Sequence, residues 1–196
     1  MNYPLHVSFK ILAIARQLSV TDASGNLLAY AKQKAFKLKE AVTIFADAEQ
    51  TRPLYTANAE KILDFSGRYN FADARTGHSL GSVKRQGMKS LWKAHYDIFD
   101  ETHNANLTIR EENAWIKVFD SLLGEVPVVG MFSGYLFHPA YLVQRADDTT
   151  IMRLEKQPAF LEGKFRIDKQ AEMSQDEETR ALLSLIMMIL LERSRG

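Results

Sequence analysis

Residues 181–191 read ALLSLIMMILL, an apolar run that only Ser184 interrupts. The flanking sequence predicts a helix. Ser174 followed by Glu177 matches a capping box, and two arginines follow the run at the negative end of the helix dipole. On such a helix the apolar side chains point in every direction around the axis, so the helix must be surrounded by an apolar medium on all sides.

Either lipid or the rest of the protein could surround this helix, and its length separates the two. At about 1.5 Å per residue the run spans roughly 17 Å, whereas the hydrocarbon core of a bilayer is about 30 Å thick. The sequence therefore favours burial within protein. Because this burial would supply much of the apolar core, we expect a chain that ends at Gln175 not to fold.

Composition excludes several classes of protein. The 196 residues suit one domain, which we take to span residues 1–196. With 25 basic and 24 acidic side chains there is no charge excess to support nucleic-acid binding. The absence of cysteine excludes disulfides and thiolate metal sites. The N-terminus lacks the basic segment of a signal peptide, so we expect a cytoplasmic protein.

Short alternating apolar runs recur from Gln17 to about Arg110, and an aspartate-containing turn joins the members of each pair. Aspartate side chains accept hydrogen bonds from nearby backbone N–H groups in turns, so the pattern predicts a meander of antiparallel hairpins. The aspartates lie at nearly constant spacing, and a later hairpin adds two more. They are Asp22, Asp47, Asp73, Asp100, Asp147 and Asp148.

Two segments interrupt the meander. Residues 113–123 have apolar residues at helical spacing and predict one inserted amphipathic helix. Residues 126–141 are rich in glycine, proline and bulky apolar side chains. This loop either covers the sheet with Phe132, Tyr135 and Phe137 buried, or presents them to a protein partner or a membrane.

A chain that forms a series of hairpins followed by one wholly apolar helix can bury the helix on all sides if the sheet closes around it. Closure also removes the free edges of the sheet. The chain resembles the tubby C-terminal superfamily in the order of its motifs. They are the V-x-D-x-x-G-N turn at 20–26, the later F-x-D and I-F-D turns, the RLEKQ arm at 153–157 and the terminal helix. The likeness is greatest to a bacterial LURP-one-related or phospholipid scramblase-like branch. It implies a mainly β protein, a closed antiparallel barrel of about twelve strands around a central hydrophobic C-terminal helix.

The resemblance also implies a function. Tubby domains bind phosphoinositide head groups through basic side chains on the outer barrel wall, so this chain is expected to be a non-enzymatic, membrane-peripheral module that recognises anionic phospholipid. Two groups of basic side chains suit that role by charge and by their N–H donors. The first is Lys32, Lys34, Lys37 and Lys39, and the second is Lys84, Arg85, Lys89 and Lys93. The alternative is that these lysines are solvated and prevent pairing between sheet edges.

Other functions have less support. A protein-interaction or scaffold domain would use the loop of residues 126–141, and a scramblase-related protein would need calcium, for which the acids of residues 169–178 form no recognisable loop. The histidines are scattered without metal-binding spacing. His95 and Asp97 share one strand face with His103 nearby, but satisfied histidines are the simpler interpretation. The sequence predicts no enzyme, no cofactor and no metal.

Overall fold

The computed structural model describes residues 1–11, 15–34, 41–60, 67–86, 95–112, 140–159 and 162–192. Within these ranges the chain forms strands and one long helix. The first six strands are β1 Leu5–Ile11, β2 Ala15–Thr21, β3 Leu27–Lys34, β4 Ala41–Phe45, β5 Pro53–Ala59 and β6 Arg68–Asp73. The others are β7 Ser79–Arg85, β8 His95–Phe99, β9 Ala105–Glu111, β10 Ala140–Arg145, β11 Thr150–Gln157 and β12 Gly163–Lys169. The helix, α1, spans Gln175–Glu192.

The strands form a closed antiparallel barrel in which each strand pairs with its neighbours in the chain. The first strand completes the closure, because β1 pairs with β2 on one side and with β12 on the other, where Leu5 lies opposite Ile167. The predicted barrel of about twelve strands is confirmed. The sequence interpretation began the meander at Gln17 and so missed β1.

The core lies where the inner face of the barrel meets α1. Alternate side chains of the strands are buried, as the period-two pattern predicted, among them Leu18 and Val20 on β2 and Ile98 on β8. Every residue of α1 from Arg180 to Leu190 is buried. The barrel therefore surrounds the helix, and the prediction that protein buries the apolar run is confirmed.

The meander gives the barrel two different ends. Consecutive antiparallel strands run in opposite directions, so every second connection lies at the same end. The turns that contain Asp22, Asp47, Asp73, Asp100 and Asp147 all join an even-numbered strand to the next odd-numbered one. We call this end the aspartate end and the opposite end, where β3 and β7 finish, the basic end. The helix α1 follows β12 at the aspartate end and finishes at the basic end.

The aspartates organise their turns as predicted. The Oδ1 atom of Asp22 accepts hydrogen bonds from the backbone N–H groups of Ser24 and Asn26, both at 2.9 Å. The carboxylate of Asp47 accepts the Thr51 N–H at 2.9 Å and the Arg52 N–H at 2.8 Å. Such bonds replace strand pairing where the chain reverses, and they explain these acids without a bound cation.

The same bonds predict a loss of stability in acid. The side chain of Asn26 lowers the pKa of Asp22, and the backbone N–H of Thr51 lowers the pKa of Asp47. The other turn aspartates with a lowered pKa are Asp73, Asp100 and Asp147. A depressed folded-state pKa contributes stability that is present above the unfolded-state pKa of about 3.9 and is lost as the pH falls through the folded-state pKa. Urea denaturation between about pH 7 and pH 2 should therefore show the free energy of unfolding falling below about pH 4.

A doubly substituted protein provides the control. In Asp22→Asn/Asp47→Asn the two carboxamides keep an acceptor oxygen but do not titrate in this range. We expect its free energy of unfolding to depend less steeply on pH than that of the unsubstituted chain. Identical pH profiles for the two proteins would show that the carboxylates of Asp22 and Asp47 do not contribute to the acid sensitivity.

The first turn of α1 is held by a cap and by an ion pair. The Ser174 hydroxyl accepts the Glu177 N–H at 3.2 Å, so this half of the predicted capping box is present. The other half is wrong, because the Glu177 carboxylate accepts two bonds from the Arg145 guanidinium, at 2.8 and 2.7 Å. This bidentate pair joins the end of β10 to the helix. Ser184, the polar residue of the apolar run, donates to the Arg180 carbonyl at 2.8 Å.

Several predicted features lie outside the described residues. These are the inserted helix at 113–123, the loop from 126 as far as 139, and Arg193 and Arg195. The last two residues assigned to that loop, Ala140 and Tyr141, belong instead to β10. They extend the strand because Tyr141 continues the register opposite Glu111 on β9 and Leu154 on β11.

Candidate anion-binding surface

The first basic group begins on β3. Ala29 and Ala31 are buried, and by alternation Lys32 faces outward, where its side chain is exposed. Lys34 is the last residue of the strand. Lys37 and Lys39 lie outside the described residues. Of this group, Lys32 is the member whose described side chain lies on the outer wall at the basic end.

The second basic group divides between the two faces of β7. Val83 is buried, and Lys84 is exposed on the outer wall. Arg85 faces the interior, where its Nε atom lies 3.3 Å from Glu192 Oε1 at the end of α1. Its charge is therefore committed to the helix. The remaining members of the group, Lys89 and Lys93, lie outside the described part of the chain.

The described outward members of the two groups, Lys32 and Lys84, lie at the same end of the barrel on separate parts of its wall. Both β3 and β7 run away from the aspartate end, so Lys32 and Lys84 both lie towards the basic end. Three strands, β4 to β6, separate them in the barrel. Strand spacings of about 4.8 Å place the two lysines roughly 19 Å apart along the wall. The two lysines could contact separate anionic groups of one extended ligand surface.

Strand register shows two further cations that sequence reasoning missed, one beside Lys84 and one two strands away. Arg68 on β6 lies directly opposite Lys84, and its guanidinium stacks 4.1 Å from the centre of the Phe99 ring. Arg110 on β9 is exposed and lies opposite His95 on β8. These residues come from separate hairpins. Pairing the predicted strands across the Asp73 turn would have brought Arg68 to Lys84.

Three described acidic side chains at the basic end are already paired. Glu192 contacts Arg85, Glu162 lies 3.1 Å from Lys10, and Glu112 lies 2.9 Å from Arg153. Asp97, beside Lys84, accepts a 2.8 Å bond from Gln86 and has His95 Nε2 at 3.5 Å. By contrast, none of the cations Lys32, Lys84 and Arg110 forms an ion pair with a described residue. Uncompensated positive charge therefore remains on the outer wall at this end.

The histidine–carboxylate arrangement exists only in part. His95 and Asp97 are neighbours on the outer face of β8, as predicted. His103, however, lies in the turn after β8, at the aspartate end, whereas His95 begins the strand at the basic end. At about 3.3 Å per residue the length of β8 alone separates them by roughly 13 Å. The expectation that His103 is nearby is wrong. Across the described ranges no three His, Asp or Glu side chains are grouped as metal ligands.

The residues proposed for a protein-interaction loop, Phe132, Tyr135 and Phe137, lie outside the described residues. Within the part of the chain that the structure describes, no helix is both long and apolar enough to cross a bilayer, and this includes α1.

Comparison with known proteins identifies the family. A family model described as LURP-one-related matches residues 27–182, from the start of β3 into α1. The chain belongs to the LURP-one-related family. The X-ray structure of an Arabidopsis thaliana protein is similar to this member of the family, with a TM-score of 0.54 and 15% identity over 100% of this chain and 94% of the plant chain. At that identity the likeness concerns the fold alone. No curated protein sequence matches the chain.

Family and fold together are consistent with the tubby-like superfamily, so the predicted resemblance is confirmed. The LURP-one-related barrel is in general a binding domain rather than an enzyme. In this member the residues exposed on the barrel wall therefore become the first candidates for contact with a ligand.

Proposed function

We propose that this LURP-one-related protein is a non-enzymatic binding module that attaches to anionic membrane surfaces through the basic end of its barrel. Lys32 and Lys84 make the central contacts, and Arg110, two strands from Lys84, lies on the same outer wall. The predicted Lys37, Lys39, Lys89 and Lys93 follow β3 and β7 in the sequence and lie outside the described residues.

The separation of charge along the barrel axis carries this proposal. Turn aspartates occupy one end. At the other end Glu192, Glu162 and Glu112 are paired, whereas the exposed cations Lys32, Lys84 and Arg110 form no ion pair with a described residue. A net charge of only +1 hides this separation. A molecule with such a dipole turns its basic end towards a negative surface, and each Lys or Arg near that surface contributes about 1 kcal/mol of attraction.

Vesicle co-sedimentation tests the proposal. Vesicles of phosphatidylcholine with phosphatidylserine or a phosphoinositide should bind the protein at low salt, and raised salt should weaken binding because it screens the attraction. Vesicles of phosphatidylcholine alone should not bind. Lys32→Glu/Lys84→Glu replaces two attractive charges by two repulsive ones, and we expect at least about a tenfold loss of affinity.

Arg52→Glu/Arg75→Glu is the matched control, because it changes the net charge equally but at the aspartate end, where both side chains are exposed. Its vesicle binding should stay within about twofold of the unsubstituted protein. Equal losses in the two variants would mean that net charge alone governs binding, and would reject the proposed orientation. Soluble inositol phosphate added as competitor distinguishes a head-group site, from which it displaces vesicles, from attraction to the surface as a whole.

A further inference from the structure

Arg180 of α1 is a buried cation whose donors are largely unused by the protein. The side chain is 8% exposed, and no other basic side chain of the described residues is buried. Its Nε atom is buried and has no hydrogen-bond partner among those residues. Nη1 donates to the Leu80 carbonyl at 3.4 Å, which is longer than the usual N–H···O distance of about 2.7–3.2 Å. A guanidinium has five N–H donors, so most of those of Arg180 could serve a ligand.

Two acidic side chains that could pair with Arg180 are engaged elsewhere. Glu177 lies three residues before it on α1, a spacing that suits a pair along a helix, but Glu177 contacts Arg145 instead. Glu101, in the turn after β8, lies 3.2 Å from Nε2 of His78. Within the described residues Arg180 forms no ion pair. The tertiary structure therefore directs this guanidinium away from its neighbours in the helix and towards β7.

Asp100 acts on Arg180 at a distance. Its Oδ1 atom accepts hydrogen bonds within its own turn, from the N–H and hydroxyl groups of Thr102 and from the N–H of Asn104. The hydrogen bond from the Thr102 side chain makes the largest contribution to the lowered pKa of Asp100, and the charge of Arg180 adds a smaller one. A buried charge without a direct partner is unfavourable, so a ligand that brings an acceptor to the guanidinium would relieve this cost.

Gly81 makes room for the stem of Arg180. A Cβ atom built on this glycine of β7 would lie 2.8 Å from Cδ of Arg180 and 3.1 Å from the backbone carbonyl carbon of Asp100. The stem is thus held against the backbone at the aspartate end, which sets the direction of the guanidinium before any ligand binds. All connections between elements at this end belong to the described residues, so the surroundings of the site there are known.

We propose that Arg180 binds the carboxylate group of a small ligand at the aspartate end of the barrel. The two oxygens of a carboxylate match the planar fork of guanidinium donors. Because Arg180 is 8% exposed, a small group reaches it and a bulky one does not. Asp73 and Asp100, in the turns before β7 and after β8, repel additional negative charge, which favours a singly charged carboxylate over a phosphate dianion. The site lies at the end of the barrel opposite the proposed membrane-facing surface and does not depend on lipid binding.

Nuclear magnetic resonance of the unsubstituted protein tests this proposal without any variant. Sodium acetate replaces sodium chloride at constant ionic strength and neutral pH, and the Nε–H resonance of Arg180 is followed. We expect a saturable shift with a Kd on the order of 1 mM. The Nε–H of Arg145 is the internal reference, because it already donates to Glu177 at 2.8 Å and should not move. A shift that is absent, that does not saturate or that is equal at Arg145 would overturn the proposal.

Thermal unfolding of variants provides a second test. With a Kd of about 1 mM, about 100 mM acetate should raise the Tm of the unsubstituted protein by about 5–10 °C relative to chloride. Arg180→Met keeps an apolar stem and should abolish this increase, and Arg180→Lys, which lacks the planar fork, should weaken binding by at least about fivefold. Arg75→Met removes an exposed charge at the same end and should keep the full increase.

Equal increases in Arg180→Met and in the unsubstituted protein would reject the site, as would an equal loss in Arg75→Met. Vesicle binding distinguishes this proposal from the proposed function. Arg180→Met should bind anionic vesicles within about twofold of the unsubstituted protein, because the substitution lies far from the basic end. Acetate binding without vesicle binding would leave the Arg180 site standing and reject the membrane proposal alone.

Discussion

A chain that ends at Gln175 is expected not to fold, because it loses all but the first residue of the helix that fills the barrel. The eight large apolar side chains from Leu182 to Leu190 are each at most 5% exposed. At about 1.5–3 kcal/mol for each, their burial supplies on the order of 12–24 kcal/mol, an upper estimate. Domains are stable by only about 5–15 kcal/mol in total. Without α1 the inner faces of the strands would line an empty space that the barrel cannot close.

Circular dichroism and thermal unfolding measure this effect. The truncated protein should show no cooperative transition, whereas a chain that ends at Glu192 keeps all of α1 and should unfold cooperatively. A truncated protein that stays monomeric and melts in a single transition would contradict the central role of the helix. The single change Ile186→Ala, at a residue that is 0% exposed, should by itself lower the free energy of unfolding by about 2–5 kcal/mol.

Gly81→Ala is expected to be the most damaging substitution in the barrel wall. Gly81 on β7 has a φ of +98°, and a Cβ atom built on it would collide with the carbonyl oxygen of Phe99 and lie 2.8 Å from Cδ of Arg180. The Phe99 oxygen belongs to the backbone of the next strand, so it cannot move without breaking the sheet. We expect the free energy of unfolding to fall by about 4 kcal/mol or more, measured by urea denaturation.

Gly25→Ala provides the matched control for backbone conformation. Gly25 also has a positive φ, +83°, but an added Cβ would have no atom within 4 Å. Its free energy of unfolding should fall only by the cost of holding alanine in the left-handed conformation, about 1–2 kcal/mol. If both variants lost the same stability, the conflict at Gly81 would be conformational rather than steric, and the close approach of Arg180 to β7 would not require glycine.

Local chemistry explains why much of the fold was predictable. The Asp22 and Asp47 turns depend on hydrogen bonds within five residues, so the sequence contains both partners. The strand faces follow from alternation within one strand, as at Leu18 and Val20. Residues 5–11 also alternate, with Leu5, Val7 and Phe9 buried, so the signal for β1 was present and was not used.

Contacts between distant residues were not predictable by the same means. The Glu177 carboxylate was assigned to the cap of its own helix, but Arg145, 32 residues away, provides a bidentate and charged partner. Arg85 was grouped with Lys84 because they are adjacent in the chain. Adjacent residues of a strand point to opposite faces, and Arg85 meets Glu192 inside the barrel.

The sequence by itself determined that the apolar helix must be enclosed, where the chain reverses and which side chains of most strands face inward. These properties depend on residues that are neighbours in the chain or that repeat with a fixed period. Only the tertiary structure decided that Arg68 lies beside Lys84, that Arg110 lies on the same outer wall two strands away, and that charge separates between the two ends. Those features depend on register and closure, which the whole barrel sets when all of its strands pack around one helix.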